Sequence, residues 1–205
     1  MAEYVTGSPD GALRVGVLPS AFNPPTVAHL ALADAAQQAA GLDLVVFALP
    51  SDLPHKSFEG ASHAQRIEML QAAVAGQPAR GVVLTEGGLF VEIARELKAL
   101  HPHGSEVCVI CGKDAAERIA AWDYGAGPCF EDQLAEFTLF VGDREGPYLP
   151  DPRWSKRIQA VGLPAELDSV SSAELRRRRR SHEDWQALTV PAVARLIEEW
   201  DLYLG

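Results

Sequence analysis

Residues 13–40 read LRVGVLPSAFNPPTVAHLALADAAQQAA, and the change of pattern inside this stretch decides the fold. Leu13–Leu18 is short, apolar and without alternation, which is how a strand covered on both faces reads. His29–Ala40 is alanine-rich and helical in pattern. Between them stand Asn23, Pro24, Pro25 and Thr26, with Pro24 and Pro25 stiffening the connection. A helix that starts where a buried strand ends offers unpaired backbone N–H groups and the positive end of its dipole, a natural seat for phosphate. Thr26 and His29 are three residues apart and share one side of such a helix start. Spacing alone also leaves a plainer reading open, with Thr26 as a helix cap and His29 as a first-turn residue.

The same strand-then-helix order recurs. Leu44–Leu49, Val82–Thr85, Val107–Cys111 and Phe137–Val141 read as further strands. Ala64–Ala75, Phe90–Leu100 and Lys113–Ala121 read as helices. Ile67, Leu70 and Val74 fall on one helix face, and Ile93, Leu97 and Leu100 on another. This alternation predicts an α/β fold: a doubly wound parallel sheet with right-handed crossovers. Ligands of such sheets bind beyond the C-terminal strand ends, where crossovers diverge. Residues 142–151 are turn-rich and read as a surface loop, Trp154–Gln159 as a short helix, and the remainder as a small C-terminal helical appendage.

Residues 1–12 have neither a basic start nor an apolar stretch, so they are read as a flexible tail rather than a signal peptide. Residues 13–205 form one domain on this reading, and no apolar run is long enough to span a bilayer. The formal charge of −10 argues against a general nucleic-acid binder and makes any local positive cluster informative. Three cysteines without a leader fit a cytoplasmic protein. Cys108 and Cys111 are spaced C-x-x-C, but they sit in the apolar run EVCVICG and read as buried strand residues. No second C-x-x-C pair completes a zinc site. His63, His101, His103 and His182 show no ligand-like spacing and read as surface residues.

AFNPPTVAHL resembles the (H/T)-x-x-H signature loop of the nucleotidyltransferase superfamily, and the chain is similar to nicotinate or nicotinamide mononucleotide adenylyltransferases over residues 13–204. Five further stretches match in order: LPSDLPHK ending at Lys56, QRIEML with Arg66 and Leu70, ICGKDAAERIAAW with Gly112, Asp114 and Trp122, SVSSAELR with Ser171, Ser172 and Arg176, and VPAVARLIEEWDLY as the C-terminal helix. An ordered set of this kind is far more specific than any single motif.

The resemblance implies a Rossmann-like fold and an adenylyl transfer. The phosphate of a pyridine mononucleotide attacks the α-phosphorus of ATP and expels pyrophosphate. It implies His29, Thr26 and Arg176 as catalytic residues. Ser20, Phe22, Gly112, Asp114, Ser171 and Ser172 would join His29 and Arg176 around ATP. Asn23, Lys56, Leu89, Phe90 and Trp122 would receive the mononucleotide. Mg²⁺ is implied with ATP, mostly on phosphate oxygens and water, with no protein metal ligand. The implied partners are ATP and a pyridine mononucleotide, without nucleic acid or membrane, and a homo-oligomer stays open.

Two departures stand out. Pro19 and Ser20 replace a Gly-Gly pair, and Leu89, Phe90 and Glu92 replace the Tyr, Thr and Asp of a segment that helps receive the pyridine carboxylate. Glu92 there would favour the carboxamide. Arg177–Arg180 read as a solvated basic face that adds positive potential. Transfer to another phosphorylated acceptor, or nucleotide binding without turnover, are the competing readings.

Overall fold

The computed structural model describes residues 1–8, 11–51, 60–101, 104–125, 127 and 129–204. Its centre is a seven-stranded sheet. The strands are β1 (Glu3–Thr6), β2 (Arg14–Pro19), β3 (Leu44–Pro50), β4 (Arg80–Thr85), β5 (Glu106–Gly112), β6 (Thr138–Gly142) and β7 (Ile158–Val161), in spatial order β1-β4-β3-β2-β5-β6-β7. All neighbours are parallel except β1, which runs antiparallel along β4.

Every residue of β3 is buried, so its side chains alternate between two cores rather than between core and solvent. Leu44, Val46 and Ala48 face one way, with Val15 and Val17 of β2 and with Val91, Ile93 and Leu97 of helix α3 (Phe90–Leu100). Val45, Phe47 and Leu49 face the other way. There they meet Leu32, Ala33 and Ala36 of α1 (Val27–Ala40) and Leu70 and Val74 of α2 (His63–Val74). The sheet is therefore covered on both sides, as the unalternated strands predict. A third, smaller core ties α2 to α6 (Ser172–Arg180) and α7 (Pro191–Glu199) through Met69, Leu175, Trp185, Val193 and Ile197. This is the C-terminal appendage.

Three expectations are corrected. The segment read as a tail contributes β1, an edge strand too short to show a period; Gly81 admits it, since a Cβ there would stand 2.9 Å from the Thr6 carbonyl oxygen. The stretch read as a short helix near Trp154 is a 3-10 turn, Pro152–Trp154, followed by β7, a four-residue edge strand with only Ile158 and Val161 buried. His101 is not at the surface: it is buried, with the Tyr4 hydroxyl of β1 2.8 Å from its Nε2. His103 and Lys56 lie outside the described residues.

β2 pairs with β3 on one side and β5 on the other, so the crossovers diverge between β2 and β5. The crevice beyond this switch point is floored by the segment after β2 and the start of α4 (Lys113–Ala120) after β5.

Candidate active site

Pro24 and Pro25 restrict the approach to Thr26, which caps α1 with φ −127° and ψ 165°. The helix begins at Val27, two residues before the start at His29 read from the sequence. His29 then occupies the third helical position, where capping boxes place a Glu or Gln. Its Nδ1 receives the Thr26 backbone N–H at 3.1 Å and lies 2.8 Å from the Thr26 hydroxyl. A main-chain N–H can only donate, so Nδ1 is the acceptor and the ring proton sits on Nε2. Nε2 is directed outward, 3.4 Å from the Ser20 hydroxyl. Phe22 fixes the ring from below: it is fully buried, adopts φ +45°, and lies with its ring centroid 5.1 Å from that of His29. A left-handed phenylalanine costs about 1–3 kcal/mol and persists because its surroundings enforce it.

The backbone of this loop is held by side chains from distant parts of the chain. Arg66 of α2 donates to the Ala21 carbonyl (3.1 Å), Arg176 to Asn23 (2.6 Å), Ser172 to Pro24 (2.7 Å) and Thr189 to Pro25 (2.7 Å). The Asn23 side-chain oxygen accepts from the Tyr203 hydroxyl (2.7 Å) and the Ala61 N–H (3.3 Å). Arg66, Asn23, Thr189 and Tyr203 are all buried. Burial pushes the Tyr203 hydroxyl well above the usual phenol value, so it stays a donor. Gly60 makes room for it, since a Cβ there would come 2.6 Å from the tyrosine ring.

Two cavities open on either side of the β2 end and share Pro19, Ser20 and Ala115. The first is lined by Thr26, Ala28, His29, Gly112, Arg144, Ser171 and Ser172 among others. Helices α1, α4 and α6 all begin at or beside it, so three dipoles point positive ends toward one space in a chain of charge −10. The second cavity is largely apolar and includes Leu89, Phe90, Trp122, Tyr124 and Phe130.

The predicted residues distribute as follows. Thr26, His29, Ser20, Gly112, Ser171 and Ser172 meet at the first cavity; Leu89, Phe90 and Trp122 meet at the second, with Ser20 between them. Phe22 and Asn23 line neither: the first supports His29 and the second anchors the loop. Thr26 is 1% exposed, so its hydroxyl orients the imidazole more directly than it meets solvent. Arg176 is not among the lining residues of either cavity; one of its nitrogens donates to the Asn23 carbonyl. Asp114 is an exposed partner of Arg144, at 3.2 Å.

Sequence reading missed Arg144. It follows β6 at the same end of the sheet, lines the first cavity, and is steadied by Asp114 and by the Asp168 carbonyl at 3.0 Å. The signal was its place just past a parallel strand, hidden in a turn-rich segment. Ser20 N–H donates to the Ala48 carbonyl (3.2 Å) and Pro19 has no N–H, so this turn presents a hydroxyl to the crevice where a glycine pair presents backbone. The arginine run is largely matched. Arg177 pairs with Glu174 and Glu183, Arg178 with Glu174, and Arg179 lies 5.2 Å over the Trp185 ring. Arg177 and then Arg178 hold the Glu174 carboxyl down to about 2.

A cytidylyltransferase-like family model matches residues 17–178. A Salinibacter ruber protein named "Probable nicotinate-nucleotide adenylyltransferase" is 32% identical over 200 residues, covering 93% of this chain and 98% of its own. A Bordetella parapertussis protein of the same name is 31% identical, covering 94% and 99%. Among solved structures, the Plasmodium falciparum nicotinic acid mononucleotide adenylyltransferase complexed with NaAD superposes with a TM-score of 0.72 at 18% identity, over 93% of this chain and 97% of that one. That likeness speaks for the fold, whereas the sequence matches run through the signature loop, both cavities and the appendage. The chain belongs to the nicotinate-nucleotide adenylyltransferase family of cytidylyltransferase-like nucleotidyltransferases.

Proposed function

We propose that the protein joins the AMP moiety of ATP to a pyridine mononucleotide, releasing pyrophosphate and forming a dinucleotide of the NAD type. The observation that carries this reading is the pair of adjoining cavities, one surrounded by phosphate-binding elements and one apolar and aromatic, meeting at Ser20. In this reading the ATP phosphates lie against the starts of α1 and α6, and the pyridine ring enters the second cavity beside Trp122. The mononucleotide phosphate oxygen attacks the α-phosphorus, the bond to the β-phosphate breaks, and pyrophosphate leaves. Little covalent work falls to the protein; alignment and charge neutralisation do most of it.

His29 Nε2–H donates to a phosphate oxygen as charge builds, and Thr26 keeps the ring in the required tautomer. Arg176 serves from the loop it braces, its guanidinium fork suited to the β- and γ-phosphates. Mg²⁺ would arrive on ATP. Among the described residues no three His, Cys, Asp or Glu side chains cluster as a metal cage, and an Asp143 side-chain oxygen accepts the Tyr148 N–H at 2.7 Å. No helix among the described residues is long and apolar enough to cross a membrane.

The test is product analysis with ATP or CTP against a panel of acceptors. Nicotinate and nicotinamide mononucleotides with ATP should give a dinucleotide. Turnover only with another phosphorylated acceptor, or only with CTP, would contradict the assignment.

A further inference from the structure

Among the described residues that line the second cavity, one side chain is charged. Arg118, in the last turn of α4, lines it together with Leu89, Phe90, Trp122, Tyr124 and Gln133, and no described lining residue is acidic. Arg118 is exposed at the mouth and makes no ion pair or hydrogen bond with any described residue. Arg14, Arg80, Arg95, Arg144, Arg153, Arg177 and Arg178 pair with carboxylates, whereas the Arg118 charge is not taken up by one among the described residues.

Asp114, Glu117, Asp123, Glu131 and Asp132 adjoin lining residues in sequence but do not line the cavity, and neither does Glu92, two residues from Phe90. The Glu92 Oε2 accepts the Gly88 and Leu89 N–H groups at 3.1 and 3.0 Å. Its charge is thus spent on the start of α3, which removes the reason to expect a carboxamide preference. The floor is polar but uncharged. Gln133 is 3% exposed and hydrogen-bonded to the Tyr124 hydroxyl, which donates to the Ile119 carbonyl at 3.0 Å.

We infer that Arg118 is the specificity residue of this pocket, selecting a pyridine ring that bears a carboxylate over the same ring bearing a carboxamide. This deepens the proposed function and rests on it. The physical ground is charge. Both mononucleotides present the same phosphate and ribose, and they differ by one negative charge on the ring. A guanidinium forms a two-pronged, charge-assisted pair with a carboxylate and only a weaker, single-pronged contact with an amide oxygen. An apolar wall around the pair raises its worth relative to open water.

The experiment compares kcat/KM for nicotinate and nicotinamide mononucleotides in the wild type, R118Q and R118K, with calorimetric binding of both mononucleotides run in parallel. In R118Q the ratio of the two kcat/KM values should fall by about tenfold or more, the range of a charged hydrogen bond. The fall should come mainly through KM for the carboxylate substrate, with the carboxamide constants within about twofold. R118K should keep part of the preference. A merely structural role at the end of α4 would lower both substrates together and leave the ratio unmoved, which would overturn the inference. A wild type preferring the carboxamide would overturn it as well. If neither mononucleotide turns over, the function proposed above fails, and calorimetry still reads Arg118: equal affinity of the wild type and R118Q for the nicotinate form refutes the assignment.

Discussion

Thr26 and His29 illustrate how far a residue pair can be read before its surroundings are known. Their spacing says they share a side. It does not say that the imidazole accepts the Thr26 N–H, which depends on Thr26 being extended after two prolines. The helix-cap reading and the phosphate reading turn out to be compatible: the cap contact orients the ring whose other nitrogen faces the crevice. Thr26→Val removes the hydroxyl and keeps the N–H, so the tautomer survives. Its kcat should fall roughly two- to tenfold with KM little changed, the loss of one neutral hydrogen bond. The cysteines make a second residue-scale test. Cys111 is 3% exposed and its thiol is pushed up by burial; Cys108 is fully buried and pushed up to about 11, mainly by burial and then by Glu106. Cys129 is exposed. Iodoacetamide should label one thiol of the native protein, at Cys129, in a mass-spectrometric count, and all three after denaturation.

At the scale of elements, what the sequence made legible was what burial on both faces imposes. The five apolar strands and the helices packed over them follow from period and length. The two edge strands escaped because β1 and β7 are four residues each and half-covered, and they carry no unbroken apolar run. His101 was misjudged for the same reason: its burial depends on β1 lying across α3's end. That contact has a pH signature. Burial holds His101 below its usual value of 6.5, so the fold favours the neutral ring. Its contribution is complete above pH 6.5 and is lost as pH falls through the lowered folded value. His63 is lowered by burial and then by Arg66, and adds in the same direction. The melting temperature should therefore drop on acidification below pH 6.5, and drop less steeply in His101→Gln, which cannot titrate; parallel curves for the two proteins would contradict this.

On the scale of the whole molecule, the appendage braces the loop of the candidate site rather than standing apart from it. Its residues Ser172, Arg176, Thr189 and Tyr203 hold the loop carbonyls and the Asn23 side chain from 148 to 180 residues away in sequence. No periodicity could reveal this, because three of the four hydrogen bonds run to backbone oxygens that every residue possesses. Tyr203→Phe should lower stability by about 1–2 kcal/mol, because it leaves the buried Asn23 oxygen short of a donor. It should also lower kcat more than it raises KM, since the loop it steadies carries His29. Denaturant melts and steady-state kinetics on the same preparation check both. The most direct measurement is pyrophosphate release from ATP with a pyridine mononucleotide, in the wild type and in His29→Ala. Transfer at this crevice requires release in step with dinucleotide formation, and a loss of about a hundredfold or more in the variant. An unimpaired His29→Ala enzyme, or a wild type that forms no dinucleotide, would contradict it.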